Sequence, residues 1–400
     1  MDVVWGEDLP VQLLVLAVAA VAAPLLVDRV ERWVRLPSVV VEIVLGILIG
    51  PQILGLVQPN LLFETVSQLG LAMLFFLAGY EIDFKAVRGR PIGLASLGWL
   101  ASFVLAGGGL WLAGVDAVLI MAIGLCSTAL GTILPIARDS GLLAGPVGPH
   151  LMAVGAVGEF APIALLALFF SEGHHSGRTT FVILVVGLAV AAAAFGSLKR
   201  SARVGRLLSA TLGTSAQLAV RLSVLVLLAA VLLAAEIGVD IALGAFAAGI
   251  CMHVLLAALD EREEELVRSK LDGIGFGAVV PVFFVYTGVT FDLDELVSSP
   301  VALALIPVFL AAFALVRGVV TFAFFARVLP RRQRGALAAF AATELPIVVV
   351  AATTATERGL VDASVAAAMI GAAMISVLVF PLVGLRWARM DTRAVTAEAI

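Results

Sequence analysis

The chain has 400 residues, of which 62% are hydrophobic and 14% are charged, and its mean hydropathy is +1.13. A soluble domain does not need so much apolar surface, so composition excludes the soluble classes and predicts a polytopic helical membrane protein. The formal net charge of −4 is small and indicates no nucleic-acid partner. Cys126 and Cys251 fall in separate apolar runs, so we expect neither a disulfide framework nor a metal site.

Long uncharged runs of about 20 residues cross a hydrocarbon core as helices. We predict thirteen spans, at about 11–27, 37–56, 65–81, 93–113, 117–137, 149–171, 179–196, 215–235, 239–256, 274–291, 300–328, 335–356 and 361–386. The N-terminal stretch MDVVWGEDLP carries acids and no Lys or Arg, unlike a signal peptide, so we expect the first helix to be retained. The whole chain, 1–400, is therefore expected to be one transmembrane domain without a soluble regulatory domain.

The basic residues lie mostly on one side of the predicted membrane. Of the 25 Lys and Arg residues, 21 fall in loops of one side, whereas Arg178 and Arg358 fall on the other. The remaining two, Arg221 and Arg317, lie inside predicted spans. By the positive-inside rule this split predicts a multi-pass protein of the cell (inner) membrane, with its N-terminus outside and its C-terminus cytoplasmic.

Two sequence patterns recur in the same order in both halves of the chain. A Gly-rich span, LGILIG or LGAFAAG, is followed by a span that ends FFLAGYEID or FFVYTGVTFD. The matching spans run in opposite directions in the predicted topology, which is typical of the inverted repeats of secondary transporters. The predicted units are a first repeat at 11–171, a linker helix at 179–196 and a second repeat at 215–386.

The fifth and twelfth spans occupy matching positions in the two repeats, and each contains Thr and Pro at mid-membrane depth, in STALGTILP and ATELPIVV. Proline lacks an N–H group, so each span is expected to break and to free a backbone carbonyl. Such irregular backbone is tolerated where it lines a cavity, and half-helix ends there can coordinate cations. The predicted break residues of these crossed helices are Thr132, Pro135, Thr343 and Pro346.

One carboxylate, Glu159, lies in the middle of the apolar run AVGAVGEFAPIALLA. A charge at the bilayer centre costs on the order of 2.5–3.5 kcal/mol on insertion scales. Glu159 can avoid this cost by binding a proton, by binding a metal cation or by pairing with Arg317. In the transport interpretation, proton and cation compete for Glu159 and only the loaded carboxylate crosses the membrane. The structural alternative is a static Glu159–Arg317 pair that holds the helices together.

Two further charges lie within predicted spans near the breaks. Arg317 is expected either to balance the empty acid or to tie helices together through Glu344 or a carbonyl. Glu344 adjoins the second break and is expected to tune the site or to relay protons. For Arg221 and Glu42, which lie close to the ends of their spans, we expect structural roles.

Six segments in the order LPSVVVEIVLGILIGPQILGL, LGLAMLFFLAGYEID, STALGTILPIARDSG, LGAFAAGI, PVFFVYTGVTFDL and ATELPIVVV resemble the membrane domain of the monovalent cation:proton antiporter-2 family, the Kef-type sodium/proton exchangers. The resemblance covers about residues 10–388. It implies a homodimer with a dimerisation domain and a mobile core domain that exchanges cations for protons. It also implies that Glu159 matches the ion-carrying acid, Ser127 and Thr128 match the broken-helix ligands, and Arg317 matches a basic residue of the eleventh helix.

The chain departs from the family pattern at two positions. Glu159 stands where the family usually has Asp, which leaves the choice between Na⁺ and K⁺ open. Gly158 stands where paired-acid members have a second Asp and Kef-type potassium systems have Gln. With one acid, we predict electroneutral exchange without a cofactor. The sequence carries no cytosolic nucleotide-binding domain, so gating by such ligands is not expected.

Two other functions compete with this interpretation. A sodium-coupled symporter for an organic anion shares crossed broken helices, although it usually needs fewer spans and more polar groups near the crossing. A non-transporting membrane sensor or enzyme is the second alternative. The sequence contains no nucleophile–base pair and no cluster of metal ligands within a span, so we do not expect an enzyme.

Overall fold

The computed structural model describes residues 8–30, 38–81, 89–170, 202–212, 214, 216–236, 241–257 and 259–397. All regular elements in these ranges are helices, which confirms the predicted all-α polytopic fold. In chain order the helices are α1 (Leu9–Val30), α2 (Ser38–Ile49), α3 (Leu61–Glu81), α4 (Arg90–Leu112), α5 (Val118–Leu125), α6 (Leu130–Asp139), α7 (Gly148–Phe170), α8 (Ala202–Leu212), α9 (Leu218–Glu236), α10 (Ile241–Leu256), α11 (Glu261–Val289), α12 (Leu293–Ser298), α13 (Pro300–Arg327), α14 (Arg331–Ala341), α15 (Pro346–Glu357) and α16 (Ala363–Ala397).

The helices agree with the predicted spans wherever the structure describes the chain. In those residues, nine helical segments have the length and composition to cross a membrane, and three shorter apolar segments accompany them. Each predicted span except 179–196 coincides with one of these twelve segments. The predicted linker helix at 179–196 lies outside the described residues, so the count of thirteen spans and the division into two repeats stay predictions.

The helix boundaries follow from local chemistry. Helix α11 begins with a capping box, in which the Asp260 side chain accepts a hydrogen bond from the Glu263 amide and the Glu263 side chain reaches back to the amide of Asp260. Helix α13 begins at Pro300, and the Ser299 hydroxyl caps its first turn. One π-helical turn lies inside α11 and another, at Ala314–Val319, lies inside α13. The second π turn carries Arg317, and such turns are frequent at functional sites.

The helices form two groups that pack mainly within themselves. One group comprises α1, α2, α3, α9, α10 and α11, and the other comprises α4 to α7 and α13 to α16. Each group contains helices from both predicted repeats. Fewer contacts join the groups, chiefly those of α3 with α6 and of α7 with α10. Two such groups are expected if one forms a scaffold domain and the other a core domain.

Glycines allow close helix crossings within the first group. In the crossing of α2 with α11, a Cβ atom on Gly46 would lie 2.0 Å from the Val285 carbonyl oxygen, and one on Gly288 would lie 2.1 Å from that of Ile43. Helices α3 and α10 cross in the same way at Gly79 and Gly249. Any larger side chain would push these backbones apart. Each crossing pairs one helix from each predicted repeat, as a two-fold relationship between the repeats would require.

Candidate functional site

Two interrupted helices cross near the centre of the second group. Residues 126–129 separate α5 from α6, with an irregular stretch at 127–129, and residues 342–345 separate α14 from α15, with an irregular stretch at 343–345. The Ala129 amide donates to the Thr343 carbonyl at 2.9 Å, and the Thr128 hydroxyl donates to the Ala341 carbonyl at 2.8 Å. The Thr128 amide donates to the Gly158 carbonyl of α7 at 3.0 Å. Polar groups freed by each interruption are therefore satisfied by the other interruption and by α7.

The prediction that Thr132 and Pro135 form the first break is wrong. Both residues lie inside α6, and the interruption lies at 127–129, before this half-helix begins. The reason is tertiary: the amides of Thr128 and Ala129 bond to α7 and to the second interruption rather than to their own helix. Proline does not decide this break.

The second interruption contains the other two predicted break residues. Thr343 lies in its non-helical segment and Pro346 is the first residue of α15. At this position the missing N–H of proline costs no helical hydrogen bond, because the first four amides of a helix have no partner within it. Pro346 therefore begins a half-helix instead of distorting a continuous one.

Glu159 lies on α7 beside this crossing, with 1% of its surface exposed. Among the described residues, neither carboxylate oxygen has a hydrogen-bond partner. The Gly131 amide, in the first turn of α6, faces the carboxylate and interacts with it electrostatically without forming a hydrogen bond of normal geometry. The charged side chain whose field reaches Glu159 is another acid, Glu81. Within the part of the chain that the structure describes, this fully buried carboxyl group thus has a helix N-terminus in front of it and no basic side chain within ion-pair distance.

Arg317 does not pair with Glu159. Its Nη2 and Nε atoms donate to the Thr128 hydroxyl at 2.7 and 3.2 Å, and Nη2 also approaches the Val154 carbonyl at 3.4 Å. In the described part of the chain, no ion pair within 4.0 Å joins Glu159, Arg317 or Glu344. The static pair considered from the sequence is therefore not formed, and Arg317 is instead held on the first interruption.

Glu344 and Ser127 meet on the other side of the interruptions. The Ser127 hydroxyl lies 3.4 Å from Glu344 Oε2 and 3.0 Å from the Gly124 carbonyl, and it can donate its proton to either. The second carboxylate oxygen of Glu344 has no hydrogen-bond partner in the described ranges, although the residue is fully buried. Glu344 and Arg317 interact through their charges without direct contact. The hydroxyls of Ser127 and Thr128 thus contact Glu344 and Arg317, not Glu159.

Sequence reasoning missed several polar residues that hold this site. Ser376 of α16 accepts a hydrogen bond from the Glu344 amide at 3.0 Å. Trp99 and Ser102 of α4 donate to backbone carbonyls next to the first interruption and next to Arg317. Single Ser and Trp residues are common in membrane helices, so no sequence signal distinguished these three.

A cluster of paired charges joins the two helix groups at one end of the molecule, which we call the arginine-rich end. Glu81, at the end of α3, forms ion pairs with Arg138 of α6 and with Arg268 of α11, the latter at 2.5 Å. Arg138 also lies 3.6 Å from Asp272 of α11. Because α6 belongs to the second group and α3 and α11 to the first, Arg138 connects the groups.

A cavity of about 250 Å³ lies between the groups at the opposite end. The ends of α11 and α15 and the start of α16 form its walls, with polar side chains from Thr287, Thr290, Asp292, Thr353, Thr356 and Glu357. The two groups are thus tied together at the arginine-rich end and separated by a cavity at the other. Among the described residues, no three His, Cys, Asp or Glu side chains converge to hold a metal ion.

Comparison with known proteins agrees with this arrangement. The chain is 28% identical over 391 residues to YjbQ of Bacillus subtilis, a match that covers 92% of this chain and 62% of YjbQ. It is 26% identical over 268 residues to the Na⁺/H⁺-K⁺ antiporter GerN of Bacillus cereus, covering 64% of this chain and 66% of GerN. The chain thus spans about two thirds of the length of these relatives.

A solved structure has the same fold. The sodium proton antiporter MjNhaP1 of Methanocaldococcus jannaschii superposes with a TM-score of 0.67 and 16% identity, over 96% of this chain and 98% of that protein. The sequence pattern of the sodium/hydrogen exchanger transmembrane family matches residues 16–386. This match covers nearly the whole chain, and the protein therefore belongs to the sodium/hydrogen exchanger family.

Proposed function

We propose that this protein exchanges a monovalent cation, Na⁺ or K⁺, for H⁺ across the membrane, and that Glu159 carries both ions in turn. The observation that supports this most strongly is the state of Glu159 itself. Its carboxyl group is buried beside two interrupted helices, and no described residue provides a hydrogen-bond partner for either of its oxygens. A group placed so is stable only when a proton or a cation neutralises it.

The surrounding charges support exchange rather than static pairing. Arg317 donates a hydrogen bond to the Thr128 hydroxyl, and its positive charge interacts with Glu344. It therefore does not neutralise the negative charge of Glu159. An empty, ionised Glu159 would therefore have to move through the protein as a bare charge. Cation and proton compete for one carboxylate, and the core changes face only when Glu159 is loaded.

Gly158 supports electroneutral exchange, one cation for one proton. A Cβ atom at this position would lie 2.5 Å from the Thr128 hydroxyl and 2.6 Å from Arg317 Nη2. The contact between Arg317 and Thr128 therefore occupies the space that a side chain on residue 158 would need. A second acid next to Glu159 has no room in this arrangement, and one acid exchanges one charge.

The two ends of the molecule support an assignment of its direction. We place the arginine-rich end in the cytoplasm, the N-terminus outside and the C-terminus inside, because the basic loops share that side. Arg138 then closes the cytoplasmic end, and the cavity beside Asp292 and Glu357 faces outside. In this assignment the structure corresponds to a conformation that is open to the outside.

We also propose that the chain contains two repeats, at 11–171 and 215–386, and that it forms a homodimer. The paired glycine crossings of α2 with α11 and of α3 with α10 support the repeat. Exposed apolar side chains along α1 and α9, such as Leu14, Leu25 and Leu232, suit contact with lipid or with a second copy. Relatives named Na⁺/H⁺ antiporter and Na⁺/H⁺-K⁺ antiporter support either cation as substrate.

The test is cation-driven proton movement in proteoliposomes that contain a pH-sensitive dye. Adding Na⁺, K⁺ or Li⁺ in turn should alkalinise or acidify wild-type vesicles according to the cation gradient. Glu159→Gln, which keeps the shape and removes the charge, should abolish this flux. Glu42→Gln is the matched control, because Glu42 is also a buried acid of a membrane helix but lies on α2, away from the crossing.

Several outcomes would contradict the proposal. Undiminished exchange by Glu159→Gln would exclude this residue as the carrier. Sodium-dependent uptake of an organic anion without proton movement would favour the symporter. A current that reverses away from zero voltage, under symmetrical salt and a proton gradient, would exclude electroneutral exchange.

A further inference from the structure

Two residues of α4, Trp99 and Ser102, donate hydrogen bonds to backbone carbonyls of two other helical segments. The Trp99 indole N–H donates to the Cys126 carbonyl at 2.9 Å, and the Ser102 hydroxyl donates to the Val316 carbonyl at 2.6 Å. The two residues are three positions apart, so they lie on the same face of α4. Both are buried, and both hydrogen bonds therefore form without competition from water.

The two carbonyls belong to the two chain segments that carry Thr128 and Arg317. Cys126 caps the C-terminal end of α5 and precedes Thr128 by two residues, and Val316 directly precedes Arg317. One face of α4 therefore fixes the backbone that carries the arginine and the backbone that carries its hydroxyl partner. Neither Trp99 nor Ser102 forms a hydrogen bond with Glu159.

Val316 lies in the π turn of α13. A π turn interrupts the regular i to i−4 ladder of an α-helix, and such turns are frequent at functional sites. The Ser102 hydroxyl donates a hydrogen bond to the Val316 carbonyl and so joins this turn to α4. The π turn, stabilised in this way, sets the position from which the Arg317 side chain extends.

The consequence concerns Glu159. The Arg317 guanidinium lies against Gly158, the residue next to the unpartnered carboxylate. A buried arginine that is free to move would pair with such a carboxylate, because opposite charges attract strongly where water is excluded. Among the described residues, Glu344 is the carboxylate whose charge acts on Arg317, and Glu81 is the one whose charge acts on Glu159.

We propose that Trp99 and Ser102 are positioning residues that hold Arg317 on Thr128 and thereby keep it off Glu159. This inference rests on the proposed function of Glu159 as the carrier. With the two hydrogen bonds intact, the carboxylate is available to cation and proton. Without them, Arg317 relaxes toward Glu159 and competes with the cation for it.

Two variants remove one hydrogen bond each. Trp99→Phe deletes the indole N–H and keeps an aromatic ring to stack on Phe103, whose ring centroid lies 5.3 Å from that of Trp99. Ser102→Ala deletes the hydroxyl with little change in volume. Trp111→Phe is the matched control for the first variant, because Trp111 is 72% exposed on the same helix.

Each variant should raise the KM for the cation by about three- to tenfold, which corresponds to the loss of one hydrogen bond. The maximal rate at saturating cation should stay within about twofold, because the carrier itself is intact. Trp111→Phe should leave both values unchanged. A general packing defect would instead lower the maximal rate and leave KM unchanged, and that result would overturn the inference.

A double-variant comparison tests whether the effect passes through Arg317. The readout is the Na⁺ or K⁺ concentration that half-maximally raises the melting temperature of the purified protein, which measures binding even where flux is slow. In an Arg317→Gln background, Trp99→Phe should cause no further change in this concentration. If the two changes multiply instead, Trp99 acts independently of Arg317 and the inference is wrong.

The same preparations separate this inference from the proposed function. If Glu159→Gln still exchanges ions, the proposed function fails and the positioning role fails with it. If Glu159→Gln is inactive while both single variants keep the wild-type KM, only the positioning role fails. Should Trp99→Phe not fold, Ser102→Ala replaces it in both measurements, since it removes the second half of the same arrangement.

Discussion

The molecule treats buried charge differently in two regions. Around the crossing, Glu159, Arg317 and Glu344 are all at most 2% exposed, yet no ion pair joins them in the described chain. At the arginine-rich end, Glu81 and its neighbours Arg138, Arg268 and Asp272 are paired, and the Arg138 side chain is 44% exposed. One region keeps buried charges apart, and the other pairs the buried Glu81 carboxylate with arginines that water reaches.

The difference distinguishes a region that binds ions from a cluster of ion pairs that connects the two helix groups. An unpaired buried charge lowers stability, so the Glu159 region is explained by the ions that it binds and not by the stability that it provides. In the paired cluster the Glu81 side chain is 6% exposed, whereas Arg138 and Arg268 are 44% and 31% exposed, so solvent weakens these ion pairs from the arginine side. The importance of the cluster lies in its position, because Arg138 of one helix group contacts Glu81 and Asp272 of the other.

The largest expected effect comes from replacing the ion pair between Glu81 and Arg138 with a covalent cross-link. A short thiol cross-linker that is cleaved by reduction should abolish exchange when it joins cysteines introduced as Glu81→Cys and Arg138→Cys. The reason is that the two helix groups must move relative to each other for the site to change face. Exchange before cross-linking, after it and after reduction is the measurement, and activity should return with the reductant.

The matched control for the cross-link is the pair Glu81→Cys and Arg268→Cys. Glu81 contacts both arginines, but Arg268 belongs to the same helix group as Glu81. Cross-linking this pair should leave exchange near its starting rate. The wild-type cysteines Cys126 and Cys251 are buried, so they should react little. Equal inhibition by both cross-links would contradict movement between the groups.

The next largest effect is expected from Gly158→Ala, which tests the buried region. The added methyl group would lie 2.5 Å from the Thr128 hydroxyl and 2.6 Å from Arg317 Nη2, so the hydrogen bond between them must lengthen. Overpacking of this kind costs about 1–3 kcal/mol. We expect a clear loss of melting temperature and at least a tenfold loss of cation binding, measured on the same preparation.

A glycine in open space provides the comparison for Gly158→Ala. Gly108 lies on α4, and a Cβ atom there would meet nothing within 4 Å. Gly108→Ala should keep both melting temperature and binding, and it removes a helix-interior glycine, which favours stability slightly. Wild-type binding by Gly158→Ala would mean that the Arg317–Thr128 contact does not control access to Glu159.

The smallest effect is expected from Arg138→Gln, which removes the ion pairs of Arg138 with Glu81 and Asp272 and introduces no cross-link. Because Arg138 is half exposed, the melting temperature should fall by only a few degrees, and the difference from wild type should shrink at high salt. Exchange should continue, with its rate changed by less than about tenfold. A fall in stability as large as that of Gly158→Ala, or one unaffected by salt, would contradict this expectation. It would show that the ion pairs of Arg138 are shielded from solvent.

The positions of the helices follow from local sequence. Runs of apolar residues set where each helix can cross a membrane, and every predicted span in the described ranges coincides with a helix. The isolation of Glu159 in an apolar run already marked it as an unusual carboxylate. These features depend on residues within one span, and hydropathy and composition report them without knowledge of the fold.

The tertiary structure alone decided where the first helix breaks and what Arg317 contacts. The sequence suggested Thr132 and Pro135, but the break lies at 127–129, where the Thr128 hydroxyl bonds to a carbonyl 213 residues away. Arg317 had Glu159, Glu344 or a carbonyl as candidate partners, and the fold presents Thr128 at a separation of 189 residues. Partners so distant in the chain leave no local pattern. They are chosen by how the helices pack, and by the need of each buried polar group for a partner once water is excluded.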